Sequence, residues 1–229
     1  MRELVLDTET TGFDPQQGDR IVEIGAVELI NQMPTGRTYH QYINPERAMP
    51  NEAFEVHGLG DDFLRDKPVF KDIAQEFLDF VKTDKLVIHN AAFDMKFLNA
   101  ELGWLNLPQL PWEQALDTLA IARKKFPGSP ASLDALCRRF NIDNSNRTLH
   151  GALLDSEILA EVYLELLGGR QPGLVLARSN NASGGGSEEN WRASQRPTPL
   201  AARITDEEAK AHAAFVEKLG DGALWRKFD

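Results

Sequence analysis

The sequence holds a single cysteine, Cys137, which rules out an internal disulfide and any site built on several thiolates. Its setting, Asp134-Ala135-Leu136-Cys137-Arg138, reads as ordinary helix, so the thiol is taken as structural. No stretch approaches the roughly 18 consecutive apolar residues of a membrane span. Met1-Arg2-Glu3 leads directly into a strand-like run rather than a secretory signal. A cytoplasmic protein with no membrane association is expected. Basic residues are also scarce, with 25 Lys+Arg against 35 Asp+Glu and a net charge of −10. Residues 171–229 carry 8 of each sign, so the whole acidic excess lies in residues 1–170. An acidic domain repels a polyanion, and a nucleic-acid substrate would need metal ions or a partner to bring it in.

What is present is the patterning of an α/β domain. Leu4-Val5-Leu6, Ile21 to Leu29 and Tyr39 to Ile43 read as strands, and the short Gly- and Pro-bearing connections between them predict an antiparallel meander. Ile73 to Val81 then has helical spacing, Leu86-Val87-Ile88 reads as a buried strand, and Ala91 to Leu102 is helical again. Helices near Thr118–Lys125 and Leu133–Phe140 precede a long one from about Gly151 to Leu167, stopped by Gly168-Gly169. The domain is set at residues 1–170. Residues 177–199, rich in Ser, Asn, Gly, Arg and Pro, have the composition of a flexible linker. In the tail, 200–229, Thr205-Asp206-Glu207-Glu208 has the form of a capping box opening a short helix that ends at Gly220.

Several carboxylates carry chemical signals. Asp7 and Glu9 alternate at the end of the first strand and share a face, so they can grip one metal ion or stand as two solvated charges. Asp94 follows the strand ending at His89-Asn90, where ligands of open sheets bind; a first-turn acid there also complements the helix dipole. His89 fits a packed strand-end histidine, and Asn90 fits a helix cap. Asp155 lies on one helical stripe with Leu159, Val162 and Leu166, and an acid facing a core must be neutralised, paired or bound to metal. Five residues at about 100° each set His150 and Asp155 about 140° apart on a continuous helix. They converge only if His150 precedes the helix.

The order Asp7, Glu9, Asp94, Asp155, with His150 five residues before the last acid, resembles the DEDD exonuclease superfamily, histidine type. A tyrosine-type member would carry Tyr at the position of Gly151. The resemblance implies an RNase H-like fold, a mixed sheet flanked by helices, and metal-dependent phosphodiester cleavage from a 3′ end. Asp7, Glu9, Asp94 and Asp155 would hold two divalent cations, and His150 would deprotonate the attacking water. Oxygen ligands without thiolates suit Mg²⁺ or Mn²⁺.

The match extends through Asp7-Thr8-Glu9-Thr10-Thr11-Gly12, Val56-His57-Gly58-Leu59, His89 to Asp94 and Thr148 to Asp155, and is similar to the proofreading subunits of bacterial replicative DNA polymerases. By that similarity the substrate is a single-stranded or frayed DNA 3′ end, and Thr10, Thr11, His57 and Phe93 contact the terminal nucleotide. Residues 171–176 resemble a sliding-clamp-binding peptide with Gln171, Leu174 and Leu176 as anchors. The tail, with Thr205 to Glu208 and Leu224-Trp225-Arg226, corresponds to the segment that docks on the polymerase catalytic subunit. Two other readings stand beside it: a free-standing exonuclease acting on short RNA or in repair, and a non-catalytic adaptor joining clamp and polymerase.

Overall fold

The computed structural model describes residues 1–147, 149–169 and 204–220. Strands β1 (Arg2–Thr10), β2 (Ile21–Ile30) and β3 (Met33–Tyr42) form the antiparallel meander. Helices α1 (Asn51–His57), α2 (Asp61–Leu64) and α3 (Phe70–Val81) follow, then β4 (Lys85–Ile88), α4 (Ala91–Trp104) and β5 (Ala115–Asp117). Helices α5 (Thr118–Lys125), α6 (Leu133–Phe140) and α7 (Ala152–Leu167) complete this unit. The sheet order is β3-β2-β1-β4-β5, with β4 parallel to both β1 and β5. The expected mixed sheet with its three-stranded meander is therefore present, with two parallel strands added beyond β1.

Position in the sheet explains the sequence pattern. Central β1 is covered on both faces and reads as a continuous apolar run rather than an alternation. Leu4 and Leu6 join a core with Phe70, Phe77, Met95 and Phe97 of α3 and α4. Val5 joins a second core with Leu136, Ile158, Leu159 and Val162 of α6 and α7. Period-2 geometry thus assigns Leu4, Leu6 and Thr8 to the α4 side, and Val5, Asp7 and Glu9 to the α7 side.

Strand β3 extends further than expected, and β5, α1 and the four-residue α2 were not anticipated. Edge strand β3 starts at Met33, six residues before Tyr39, because its first half is exposed and has no buried face to pattern. Strand β5 is only three residues long. Helix α1 buries only His57, so it carries no apolar stripe. Asn90 departs from its expected role: it occupies the N-cap position of α4 but in a left-handed conformation (φ 68°), and its side chain makes no capping bond.

The second unit contains α8 (Asp206–Lys218), opened by the predicted box: the Glu208 amide donates to Thr205 Oγ1, and the Thr205 amide donates to Glu208 Oε2. Phe215 on this helix and Leu219 at its C-cap are exposed. The clamp-peptide and linker expectations, at 171–176 and 177–199, lie outside the described residues. Among the described residues, no helix is long and apolar enough to cross a membrane.

Candidate active site

A cleft of about 1070 Å³ opens at the carboxyl ends of β1 and β4, and its lining includes Asp7, Glu9, Asp94, His150 and Asp155. Strand β1 delivers Asp7 and Glu9 on its α7 side, helix α4 delivers Asp94 from its first turn, and α7 delivers Asp155 from its own first turn. His150 stands on the loop ahead of α7, which begins at Ala152 after the N-cap Gly151. That placement lets the imidazole and Asp155 converge, with Nδ1 at 3.4 Å from Oδ2. Ligand atoms of Glu9, His150 and Asp155 lie within 4.8 Å of one another.

Close approach of β2 and α7 makes this geometry possible. Gly25, opposite Asp7 in the β1–β2 register, lies so near the start of α7 that a Cβ there would sit 2.2 Å from the Ala152 carbonyl carbon and the Leu153 nitrogen. Two hydrogen bonds fix the contact: the Ala152 amide donates to Glu23 Oε2 at 3.1 Å, and Ser156 Oγ donates to the Gly25 carbonyl at 3.0 Å. On the other side of β1, Thr8 donates from its amide (3.1 Å) and its hydroxyl (2.7 Å) to Asp94 Oδ1, tying the strand end to α4.

The electrostatics follow from crowding buried acids. Burial first, and then repulsion from Asp94, Glu9 and Asp155, raises the Asp7 pKa well above the usual carboxylate range. Burial and the neighbouring Asp155, Glu23 and Asp94 charges push Glu9 up to about 8. Asp94 rises to about 7 through burial, against the opposing pull of its bonds from Thr8. Asp155 differs: burial pulls its pKa up, but the adjacent His150 and the hydrogen bonds from Arg147 outweigh that and hold it below its ordinary value. Buried, mutually repelling carboxylates with no thiolate among them are a donor set suited to hard divalent cations. Asp7, Glu9, Asp94 and Asp155 could hold them.

The four nucleotide-contact candidates line the same cleft. The Thr10 hydroxyl donates to the Gly12 carbonyl, and the Thr11 hydroxyl bonds Asp19, so both also brace the turn after β1. His57 is buried and its Nε2 has no hydrogen-bond partner. Phe93 packs on Phe97 with ring centroids 5.0 Å apart. His89 bonds the Thr118 hydroxyl through Nδ1 at 2.9 Å, in keeping with a hydrogen-bonded strand-end residue.

Sequence reasoning missed Thr8, Glu23, Gly25 and Arg147. Arg147 was detectable only as an isolated cation three residues before His150.

Comparison with known proteins places this geometry. Residues 4–163 match the exonuclease family of RNase T type. The chain is 49% identical over 222 residues to the DNA polymerase III subunit epsilon of Rickettsia conorii, covering 96% of each chain. It is 46% identical over 240 residues to the same subunit of Escherichia coli K12, covering 98% of this chain and 97% of that one. The chain belongs to the DNA polymerase III epsilon family. It is a 3′→5′ exonuclease of the proofreading kind. Among solved structures, exonuclease X in complex with 5′-overhanging duplex DNA superimposes with a TM-score of 0.58 at 26% identity, covering 72% of this chain and 90% of that one. The nuclease domain of 3′hExo, a DEDDh family member bound to rAMP, gives 0.62 at 20% identity, covering 72% and 91%, and supports the shared fold. The DEDD exonucleases use divalent metal ions, and the acids of this epsilon-family chain are suited to them.

Proposed function

We propose that Asp7, Glu9, Asp94 and Asp155 hold two divalent cations, Mg²⁺ or Mn²⁺, and that the chain removes mismatched 3′-terminal nucleotides from DNA as the proofreading subunit of a replicative polymerase. One observation carries this reading: four acids from three separate segments meet in one cleft, three of them with raised pKa values. When bound, a cation pair supplies an activated water and stabilises the departing 3′ oxygen. His150 takes the proton of the attacking water. Its half-exposed ring on a loop leaves it room to meet that water, beside Glu9 and Asp155. Thr10, Thr11, His57 and Phe93 receive the terminal nucleotide; the unpartnered, buried Nε2 of His57 supports a polar contact to it. Digestion of 3′-labelled single-stranded DNA with Mg²⁺, with matched and mismatched termini, tests the reading. Nearly full activity in purified Asp155→Ala protein would refute it.

The family supports a polymerase complex, and the assignments to the tail and to the clamp peptide are part of the same proposal. Residues 200–229 dock on the polymerase catalytic subunit, a role supported by the exposed Phe215 of α8 and Leu219 at its C-cap. Residues 171–176 bind the sliding clamp through Gln171, Leu174 and Leu176. Tethering offsets the repulsion between DNA and an acidic domain, because it raises the effective concentration of the 3′ end without requiring intrinsic affinity. Deleting residues 178–229 is expected to preserve hydrolysis and abolish polymerase association. A peptide spanning residues 170–177 is expected to bind the clamp.

A further inference from the structure

Arg147 has no place in the chemistry described so far, yet it reaches into the acidic cluster. Its guanidinium makes a bidentate pair with Asp155, Nε to Oδ1 at 2.5 Å and Nη2 to Oδ2 at 2.7 Å. Nη1 donates to Asp134 Oδ1 at 3.0 Å, and Nη2 also donates to His150 Nδ1 at 2.8 Å. The side chain is only 9% exposed and the Asp155 side chain 5%, so water screens this fork weakly. One cation therefore engages both oxygens of Asp155 and one nitrogen of His150, two of the three residues whose ligand atoms gather within 4.8 Å.

We propose that Arg147 is a built-in counterion that occupies the Asp155–His150 corner and is displaced when a divalent cation is taken up. The inference rests on the reading that these acids hold divalent cations. A guanidinium and a dication repel each other across a shared carboxylate, so full coordination by Asp155 requires the fork to open. Asp134 lies on the rim, 45% exposed, and already holds Nη1, so the displaced guanidinium keeps one anionic contact. Arg147 thus stabilises the metal-free site and makes metal uptake costlier. Its release frees His150 Nδ1 at the same moment as Asp155.

The test is Mn²⁺ titration by calorimetry on wild type, Arg147→Met and Arg147→Lys, with thermal melts of each protein with and without Mn²⁺. Removing a competing internal cation should tighten Mn²⁺ binding on the order of tenfold in Arg147→Met, within the usual range of couplings between sites. Arg147→Lys, which keeps the charge but loses the fork, should fall between that variant and wild type. Arg147→Met should melt lower than wild type without metal, and Mn²⁺ should close most of the gap. Unchanged or weaker Mn²⁺ affinity in Arg147→Met, with the melting deficit persisting in Mn²⁺, would show Arg147 to be structural and overturn the proposal. Failure of wild type to bind Mn²⁺ would overturn the metal-site reading itself, and the inference with it.

Discussion

Metal uptake by this site should release protons, and their number follows from the geometry. With a pKa of about 8, Glu9 is about nine-tenths protonated at pH 7. With a pKa of about 7, Asp94 is about half protonated there. Carboxylates must be ionised to coordinate a divalent cation, so binding at pH 7 expels roughly 1.4 protons from this pair, and Asp7, whose pKa burial and repulsion also raise, adds to that number. Asp155 contributes none, because its pairing already holds it ionised. Mn²⁺ titrations in buffers of different ionisation enthalpy, such as PIPES, HEPES and Tris, give the count directly as the slope of apparent enthalpy against buffer enthalpy. The slope should lie near 1.4 or above at pH 7, fall as pH rises past about 8, and vanish at every pH in a variant that does not bind metal. Release of less than about 0.3 proton at pH 7 would mean that the acids are already ionised and would refute the argument that burial and mutual repulsion keep them protonated.

The same shifts fix the sign of the metal-free stability profile. Glu9 and Asp94 have folded pKa values above their ordinary ones, so the fold retains protons that the unfolded chain gives up. Their contribution is fully present below the ordinary carboxylate range and is lost as pH rises through about 8, so EDTA-treated protein should melt at a lower temperature at pH 8 than at pH 5. His150→Ala should retain trace hydrolysis of labelled single-stranded DNA, some 10²- to 10⁴-fold below wild type, while still binding Mn²⁺, because it removes a base rather than a carboxylate ligand. Gly25→Ala forces a methyl group to within 2.2 Å of the α7 backbone, whereas Gly151→Ala meets nothing within 4 Å. The former should lower stability by about 1–3 kcal/mol in urea titrations and displace Asp155 enough to cut activity about 10²-fold, and the latter should change neither. Thr8→Val removes the 2.7 Å hydroxyl bond to Asp94 while keeping the amide bond, and should cost about 1.5–3 kcal/mol and weaken Mn²⁺ binding.

The legible parts of the sequence were those where one face of an element meets a core. Asp155 stood out because it interrupts the stripe of Leu159, Val162 and Leu166, and the structure buries all four. Helical angles showed that His150 and Asp155 could converge only with His150 ahead of α7, and the structure places it there. Long-range pairings were not legible. Arg147 lies among polar turn residues, and nothing local predicts that its guanidinium spans to Asp134 and Asp155. Gly25 reads as a mild flaw in a strand until α7 is seen to rest against it. Thr8 was passed over as the spacer in Asp-x-Glu, although the same alternation that pairs the two acids turns Thr8 towards α4 and Asp94.

That alternation makes the core and the site a single constraint. Strand β1 places Leu4 and Leu6 in one core and Val5 in the other, and the two acids continue the Val5 face. A one-residue slip of β1 would reverse both sets at once, sending Asp7 and Glu9 towards α4 and Thr8 towards α7. It would also bury Val5 among the aromatics of α3 and α4 and push Leu4 and Leu6 against α6 and α7. Because the strand is covered on both faces and bonded to β2 and β4, the apolar packing resists the slip, and the acids inherit their direction from it. Four mutually repelling carboxylates could not arrange themselves. They are held together by burial elsewhere in the same strands and helices, so packing sets the positions of the acids while their closeness raises the pKa values of Asp7, Glu9 and Asp94.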